Sequence, residues 1–134
     1  MITAVDTNVL LDILLPNEEF FDRSREALET STAAGPVVIC DLVYAELCVH
    51  FESQANCDEF LSDIGIQTEP LSRPASFLAS RAWRRYRQQG GPRQRMLADF
   101  LIGAHAQVQA SRLLSRDRGF YRRMFPALRL MEPV

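Results

Sequence analysis

The sequence has 134 residues, of which 47% are hydrophobic and 24% are charged, and its formal net charge is −2 at pH 7. This length predicts one folded domain, residues 1–134, with an ordinary hydrophobic core. All fifteen cationic side chains are arginine. The absence of lysine excludes Schiff-base chemistry and a Walker A phosphate loop.

The charges are divided unevenly along the chain. Residues 1–69 contain fourteen Asp and Glu residues but only two Arg, whereas residues 70–134 contain three acidic residues and thirteen Arg. This asymmetry predicts a basic surface for an anionic partner beside an acidic remainder.

The chain begins without a basic segment followed by an apolar one, and its apolar runs are too short to span a bilayer. We therefore expect a cytoplasmic protein with no membrane segment. Its cysteines, Cys40, Cys48 and Cys57, are odd in number and lack Cys-x-x-Cys spacing. This pattern predicts free thiols rather than a disulfide framework or a zinc site.

Short apolar runs alternate with segments of helical periodicity along the whole chain. In chain order, we predict a strand at 2–5, a helix carrying Val9–Leu14, a helix from the N-cap Asn17 to Gly35, a strand at 37–40, a helix capped by Asp41, a helix at 53–64, a strand at 66–68, a helix at 73–89, a loop at 90–92, a helix at 97–110, a strand at 112–115, a helix at 118–124 and a strand at 128–131.

This alternation predicts an α/β fold in which helices cover both faces of a parallel sheet. Right-handed crossovers place the turns that follow the strands at one edge of such a sheet, where its ligands bind.

Four carboxylates fall near this edge. Asp6 follows the first strand, Glu46 lies in the helix after the second, Asp99 lies in the helix that leads to the fourth, and Asp117 follows the fourth. Each has an ordinary explanation by itself: a helix cap for Asp6 and Asp117, a surface position for Glu46, and an arginine partner for Asp99. Their joint position is better explained by a divalent cation, because closely spaced carboxylates repel one another.

Carboxylate ligands without His or Cys favour Mg²⁺ or Mn²⁺. Two-metal sites of this kind hydrolyse phosphodiesters.

The segments Asp6–Leu10, Ala98–Ala106 and Ser115–Phe120, together with Glu46, resemble a PIN domain, and in particular the VapC toxins of bacterial toxin–antitoxin pairs. The resemblance covers nearly the whole chain. It implies a PIN-like three-layer α/β/α sandwich with a central five-stranded parallel sheet in the order 3-2-1-4-5. It also implies a Mg²⁺- or Mn²⁺-dependent endoribonuclease that leaves a 5′-phosphate, forms a homodimer and is silenced by a cognate VapB-like antitoxin.

The resemblance also assigns roles to individual residues. Asp6, Glu46, Asp99 and Asp117 match the family's catalytic, metal-binding acids, with Asp6 and Asp99 as the firmest ligands. Small polar residues that orient these acids are matched by Thr7, Asn8 and Ser115. Asp41 departs from the family pattern, which has Ser or Thr there, and we interpret it as a helix cap.

The arginines provide a candidate path for RNA. No acidic residue occurs between Glu69 and Asp99, so the basic helix at 73–89 is not balanced by interleaved glutamates. The candidate phosphate contacts are Arg81, Arg84, Arg85, Arg93, Arg95 and Arg116. We expect Trp83 and Tyr86 to pack in the core, and His50 and His105 to be structural.

Two other functions remain open from the sequence. One is a phosphohydrolase of the haloacid dehalogenase type with Asp6 as nucleophile, although such sites use a second Asp where this chain has Asn8, and a lysine. The other is a catalytically silent PIN-like module that binds RNA or protein.

Overall fold

A computed structural model describes residues 1–90 and 95–134. Its elements are β1 (Thr3–Val5), α1 (Thr7–Leu14), α2 (Phe21–Ala34), β2 (Val37–Ile39), α3 (Asp41–Cys48), α4 (Gln54–Asp63), β3 (Ile66–Thr68), α5 (Arg73–Gln88), α6 (Leu97–Gln109), β4 (Arg112–Leu114), α7 (Arg118–Met124) and β5 (Leu130–Met131). The predicted elements are all present, most of them within two residues of their predicted ends. The predicted loop at 90–92 lies largely outside the described residues.

The five strands form one parallel sheet in the order β3-β2-β1-β4-β5. This confirms the α/β PIN-like fold and the strand order that the resemblance implied. The chain adds β2 and β3 on one side of β1 and then β4 and β5 on its other side. With right-handed crossovers, this change of direction places the helices before β3 and those after β3 on opposite faces of the sheet. Strands β1 and β2 are buried throughout, which explains why they are apolar without alternation except at Thr3.

The core lies between the sheet and its two helical layers. Val5, Ile39 and Leu114 are at most 1% exposed and form the middle of the sheet. An aromatic cluster centred on Phe100 joins α5, α6 and α7, since its ring contacts Trp83, Tyr86 and Phe120. Trp83 and Tyr86 thus pack in the core, as predicted.

Two predicted helix caps are wrong. Asp41 is the first residue of α3 and Cys40 is the N-cap. The Asp41 carboxylate instead accepts a hydrogen bond from the Leu71 amide at 3.4 Å. Helix α2 begins at Phe21 rather than just after Asn17, because Asn17 caps a separate turn by accepting from the amides of Glu19 and Phe20.

Within the described ranges, no helix combines the length and apolar character needed to cross a bilayer.

Candidate active site

Asp6 lies at the centre of the carboxyl edge of the sheet. Its amide donates to the Leu114 carbonyl at 2.9 Å, so the β1–β4 pairing continues up to this residue. The side chain of Asp6 is 7% exposed and both its oxygens accept hydrogen bonds. Thr7 donates its amide to Oδ1 at 2.8 Å, while Asn8 and Ser115 donate to Oδ2 at 3.3 and 2.7 Å.

Tyr121 also donates a hydrogen bond to Asp6. This residue, which is 1% exposed and comes from α7, was not among the site residues predicted from the sequence. Burial raises the pKa of Tyr121 well above 10, and the negative charges of Asp6, Asp99 and Asp117 raise it further. The phenol therefore lies within electrostatic reach of three of the four predicted acids. The role of Tyr121 beside the acids was not predictable from the sequence, which shows Tyr121 only as an aromatic residue in a short helix.

Burial raises the pKa of the Asp6 carboxyl, and the charge of Glu46 raises it further, while the hydrogen bonds from Ser115, Tyr121 and Thr7 oppose the rise. The Glu46 carboxylate accepts a hydrogen bond from the Thr7 hydroxyl at 2.7 Å. Thr7 thus contacts both acids, one through its amide and the other through its hydroxyl. The predicted orienting residues Thr7, Asn8 and Ser115 each contact a predicted acid.

Asp99 is less buried than the sequence predicted. It is the third residue of α6, is partly exposed, and accepts the Met96 amide at 3.1 Å. The small residues Gly103 and Ala106 on its helix are buried, and Phe125 packs where a Gly103 side chain would lie. The close packing that we inferred therefore exists, but one turn beyond the carboxylate.

Asp117 is held by Arg95 from the segment before α6. The two side chains form an ion pair at 2.5 Å, and the Arg95 guanidinium lies 4.2 Å from the centre of the Phe120 ring. The hydrogen bond to Asp117 raises the pKa of Arg95 against the opposing effect of burial, and the charges of Asp117 and Asp99 raise it further. Arg95, which the sequence predicted as a phosphate contact, binds an acid of the site in this structure.

Arg116 is likewise bound to a carboxylate. Its guanidinium contacts both oxygens of Asp12 at 2.8 and 3.0 Å, and Asp12 also accepts from the Ser24 hydroxyl at 2.7 Å. Since Asp12 is 3% exposed, this pair ties α1 to the turn after β4. Arg118, the other arginine beside Asp117, pairs with Glu132.

The basic helix α5 presents Arg81, Arg84 and Arg85 as exposed side chains. Arg93, the remaining predicted phosphate contact, lies outside the described residues. His105 is buried, with its Nε2 atom 2.7 Å from Glu69 Oε1. His105 therefore has a structural partner in the turn after β3.

The predicted ligands are of the type that a hard divalent cation prefers, because the side chains of Asp6, Glu46, Asp99 and Asp117 offer only oxygen atoms. In the arrangement of residues 1–90 and 95–134, however, no group of three or more His, Cys, Asp or Glu side chains is close enough to hold a metal ion. Each acid instead has a donor from the protein: Tyr121 and Ser115 for Asp6, Thr7 for Glu46, Met96 for Asp99 and Arg95 for Asp117. Arg95 would compete with a metal ion for the Asp117 carboxylate.

The sequence model of the PIN domain matches residues 3–125. This chain belongs to the PIN domain family. No curated protein sequence matches the chain significantly.

Solved structures similar to this PIN domain include the complex VapBC2 from Rickettsia felis bound to a promoter DNA fragment, with 21% identity, a TM-score of 0.75 and 98% of each chain covered. DNA-bound VapBC from Salmonella typhimurium has 16% identity and a TM-score of 0.72, covering 100% of this chain and 99% of the other. FitAcB from Neisseria gonorrhoeae has 21% identity and a TM-score of 0.68, covering 99% and 98%. At these identities the similarity establishes the shared fold.

Proposed function

We propose that residues 1–134 form a single PIN domain that acts as a VapC-like toxin, a divalent-metal-dependent endoribonuclease of the cytoplasm. The observation that carries this proposal is a pair of shared hydrogen-bonding residues: Thr7 donates to both Asp6 and Glu46, and the Ser115 hydroxyl donates to Asp6 and accepts from the Asp117 amide. These acids are far apart in the sequence but share hydrogen-bond partners at the edge where parallel sheets bind ligands. Membership of the PIN family supports a nuclease.

Asp6 and Asp99 are the proposed principal ligands of Mg²⁺ or Mn²⁺, and Glu46 and Asp117 are proposed to bind it directly or through water. When bound, a divalent cation supplies positive charge beside the charge that develops on the phosphate, and acidifies the attacking water. The protein's own contribution is to orient the acids: Ser115, Asn8 and Tyr121 hold the Asp6 carboxylate, and Thr7 holds Glu46.

The substrate that we propose is RNA, whose phosphates would follow the exposed arginines of α5. A VapB-like antitoxin is the proposed inhibitor, and a homodimer the proposed assembly. The similar structures include VapBC and FitAcB complexes, and they support a VapB-like partner for this chain.

The phosphohydrolase alternative is less well supported. Asn8 stands where that chemistry needs a second acid, and its amide donates to Asp6 Oδ2, which restrains the proposed nucleophile. The other alternative, a catalytically silent PIN-like module, differs from the proposed nuclease in the RNA cleavage experiment described next, because such a module would not cleave RNA.

The test is cleavage of a mixture of structured RNAs by the full chain with Mg²⁺, with Mn²⁺, and with EDTA. We expect cleavage with either metal, none with EDTA, and 5′-phosphate products. Asp99→Asn should lower the rate by at least a hundredfold, whereas the matched variant Asp63→Asn, at an exposed site at the end of α4, should keep it. Undiminished cleavage by Asp99→Asn would reject the site, and metal-independent cleavage would reject the mechanism.

A further inference from the structure

Two cysteines outside the candidate active site lie against each other. The Sγ atoms of Cys48, at the end of α3, and Cys57, in α4, are 3.3 Å apart, in an S–H···S hydrogen bond. Both are free thiols. A disulfide needs an S–S distance of about 2.0 Å, so the sulfurs would have to approach by a further ~1.3 Å.

The two thiols differ in their access to solvent. Cys57 is 0% exposed, whereas Cys48 is partly exposed. Cys48 lines a surface cavity of about 310 Å³ together with Tyr44, Phe51 and Glu52. A small molecule can therefore reach Cys48 but not Cys57.

From this geometry we propose that Cys48 and Cys57 form a thiol-modification site whose co-substrate is a small disulfide, and whose product is an intramolecular Cys48–Cys57 disulfide. The Cys48 sulfur attacks the small disulfide RS–SR, forms a mixed disulfide with one half and releases the other as RSH. The Cys57 sulfur then attacks the Cys48 sulfur and releases the second RSH. Two protein thiols are oxidised, one small disulfide is reduced to two thiols, and their protons leave with the two RSH molecules.

The lining of the cavity selects among small disulfides. Glu52 lines it, and Asp58 adjoins it by accepting a hydrogen bond from the Tyr44 hydroxyl at 2.6 Å. The site therefore favours a cationic or neutral disulfide, such as cystamine or hydroxyethyl disulfide, over anionic oxidised glutathione.

A metal role for the pair is not supported. Zinc sites need three or four ligands, and the part of the chain that the structure describes has no such cluster of His, Cys, Asp or Glu.

The test treats the reduced chain of residues 1–134 with cystamine, hydroxyethyl disulfide and oxidised glutathione in separate arms, followed by acid quenching and intact-mass and peptide mapping. We expect a product about 2 Da lighter than the reduced chain, a Cys48–Cys57 linked peptide, and a rate in the order cystamine, hydroxyethyl disulfide, glutathione. Cys40, which is 1% exposed, should stay reduced and serves as the internal control.

Variants separate the two steps. Cys57→Ala should accumulate one cysteamine adduct on Cys48, and Cys48→Ser should stay unmodified. Because Cys57 is buried and its variant can fail to fold, the wild-type time course provides the same information: an adduct on Cys48 should rise and then disappear as the linked peptide forms. A stable adduct in the wild-type chain, a linkage to Cys40, or no reaction at Cys48 would each overturn the proposal. None of these readouts depends on nuclease activity.

Discussion

In this PIN domain, a few neighbouring side chains offset the cost of burying the charge of an acidic residue. Asp6 is nearly enclosed, yet it accepts hydrogen bonds from Thr7, Asn8, Ser115 and Tyr121. Even so, burial keeps its pKa raised, so the folded protein stabilises the ionised carboxylate less well than water does. The site therefore holds its negative charge at a cost in stability, as is common for groups that await a ligand.

We expect Asp6→Asn to abolish RNA cleavage and to raise the free energy of unfolding at pH 7, because the neutral amide removes a poorly solvated charge. Since the folded-state pKa is raised, the contribution of Asp6 is most favourable below its unfolded pKa and is lost as the pH rises through the folded pKa. The stability gain of the variant should therefore shrink as the pH falls towards 4.

Urea unfolding at several pH values measures this difference, with Asp63→Asn as the exposed control. A variant less stable than the wild-type protein at pH 7 would show that the hydrogen bonds to Asp6 outweigh its desolvation.

Tyr121→Phe removes one buried hydroxyl and its hydrogen bond to Asp6. We expect a loss of roughly 1–2 kcal/mol in stability and a lower affinity for Mn²⁺, since the Asp6 carboxylate loses an orienting donor. Titration calorimetry with Mn²⁺ and thermal unfolding without metal measure the two effects separately.

The matched control is Tyr44→Phe, which removes a hydroxyl that binds the exposed Asp58 and should cost less. Unchanged Mn²⁺ affinity in Tyr121→Phe would restrict Tyr121 to a structural role.

Pairs of elements are joined by charged side chains as well as by the core. The Asp12–Arg116 pair connects α1 with the turn after β4, and Ser24 of α2 binds the same carboxylate. Arg116 also lies 4.0 Å from the centre of the Phe20 ring, just before α2. Three segments thus meet at one guanidinium, which explains why an arginine next to the candidate site need not contact RNA.

Arg116→Gln should destabilise the protein by about 2–3 kcal/mol, because it leaves the Asp12 carboxylate buried without a counter-charge. The double variant Asp12→Asn/Arg116→Gln should recover part of this loss. Denaturant unfolding of Asp12→Asn, Arg116→Gln and the double variant measures the coupling. Normal stability combined with weak RNA binding in Arg116→Gln would instead favour a direct phosphate contact.

The segment before α6 places Arg95 on Asp117, and this contact competes with any cation that Asp117 binds. Arg95→Gln should therefore raise the affinity for Mn²⁺ several-fold in titration calorimetry. Arg87→Gln, at the exposed end of α5, is the control for net charge. Equal effects of the two variants would attribute the change to general electrostatics and reject a specific role for Arg95.

Across the whole molecule, the uneven division of charge is the feature most directly connected with the proposed substrate. The basic helix α5 exposes Arg81, Arg84 and Arg85, while most acidic residues belong to the first half of the chain. The arginines of α5 therefore offer an anionic polymer a surface to which it is attracted.

Arg84→Gln/Arg85→Gln should weaken RNA binding and reduce the slope of log K against log salt concentration by about 1–2, because two phosphate contacts are lost. Fluorescence anisotropy with an Asp99→Asn background and an uncleaved RNA measures this slope. Arg122→Gln/Arg123→Gln, an exposed pair on α7, has the same change in charge. An equal slope change in both double variants would place the RNA elsewhere than on α5.

The sequence by itself determined the element order, the parallel sheet and the place of Asp6 at its carboxyl edge, because burial on both faces leaves uninterrupted apolar strands and Asp6 directly follows the first of them. Tertiary packing alone decided the partners of the acids. Tyr121 reaches Asp6, Arg95 reaches Asp117 and Arg116 reaches Asp12. Each of these side chains binds the carboxylate that the packed helices place within its reach. Neither the spacing of the residues in the sequence nor their types specify the distances between these groups.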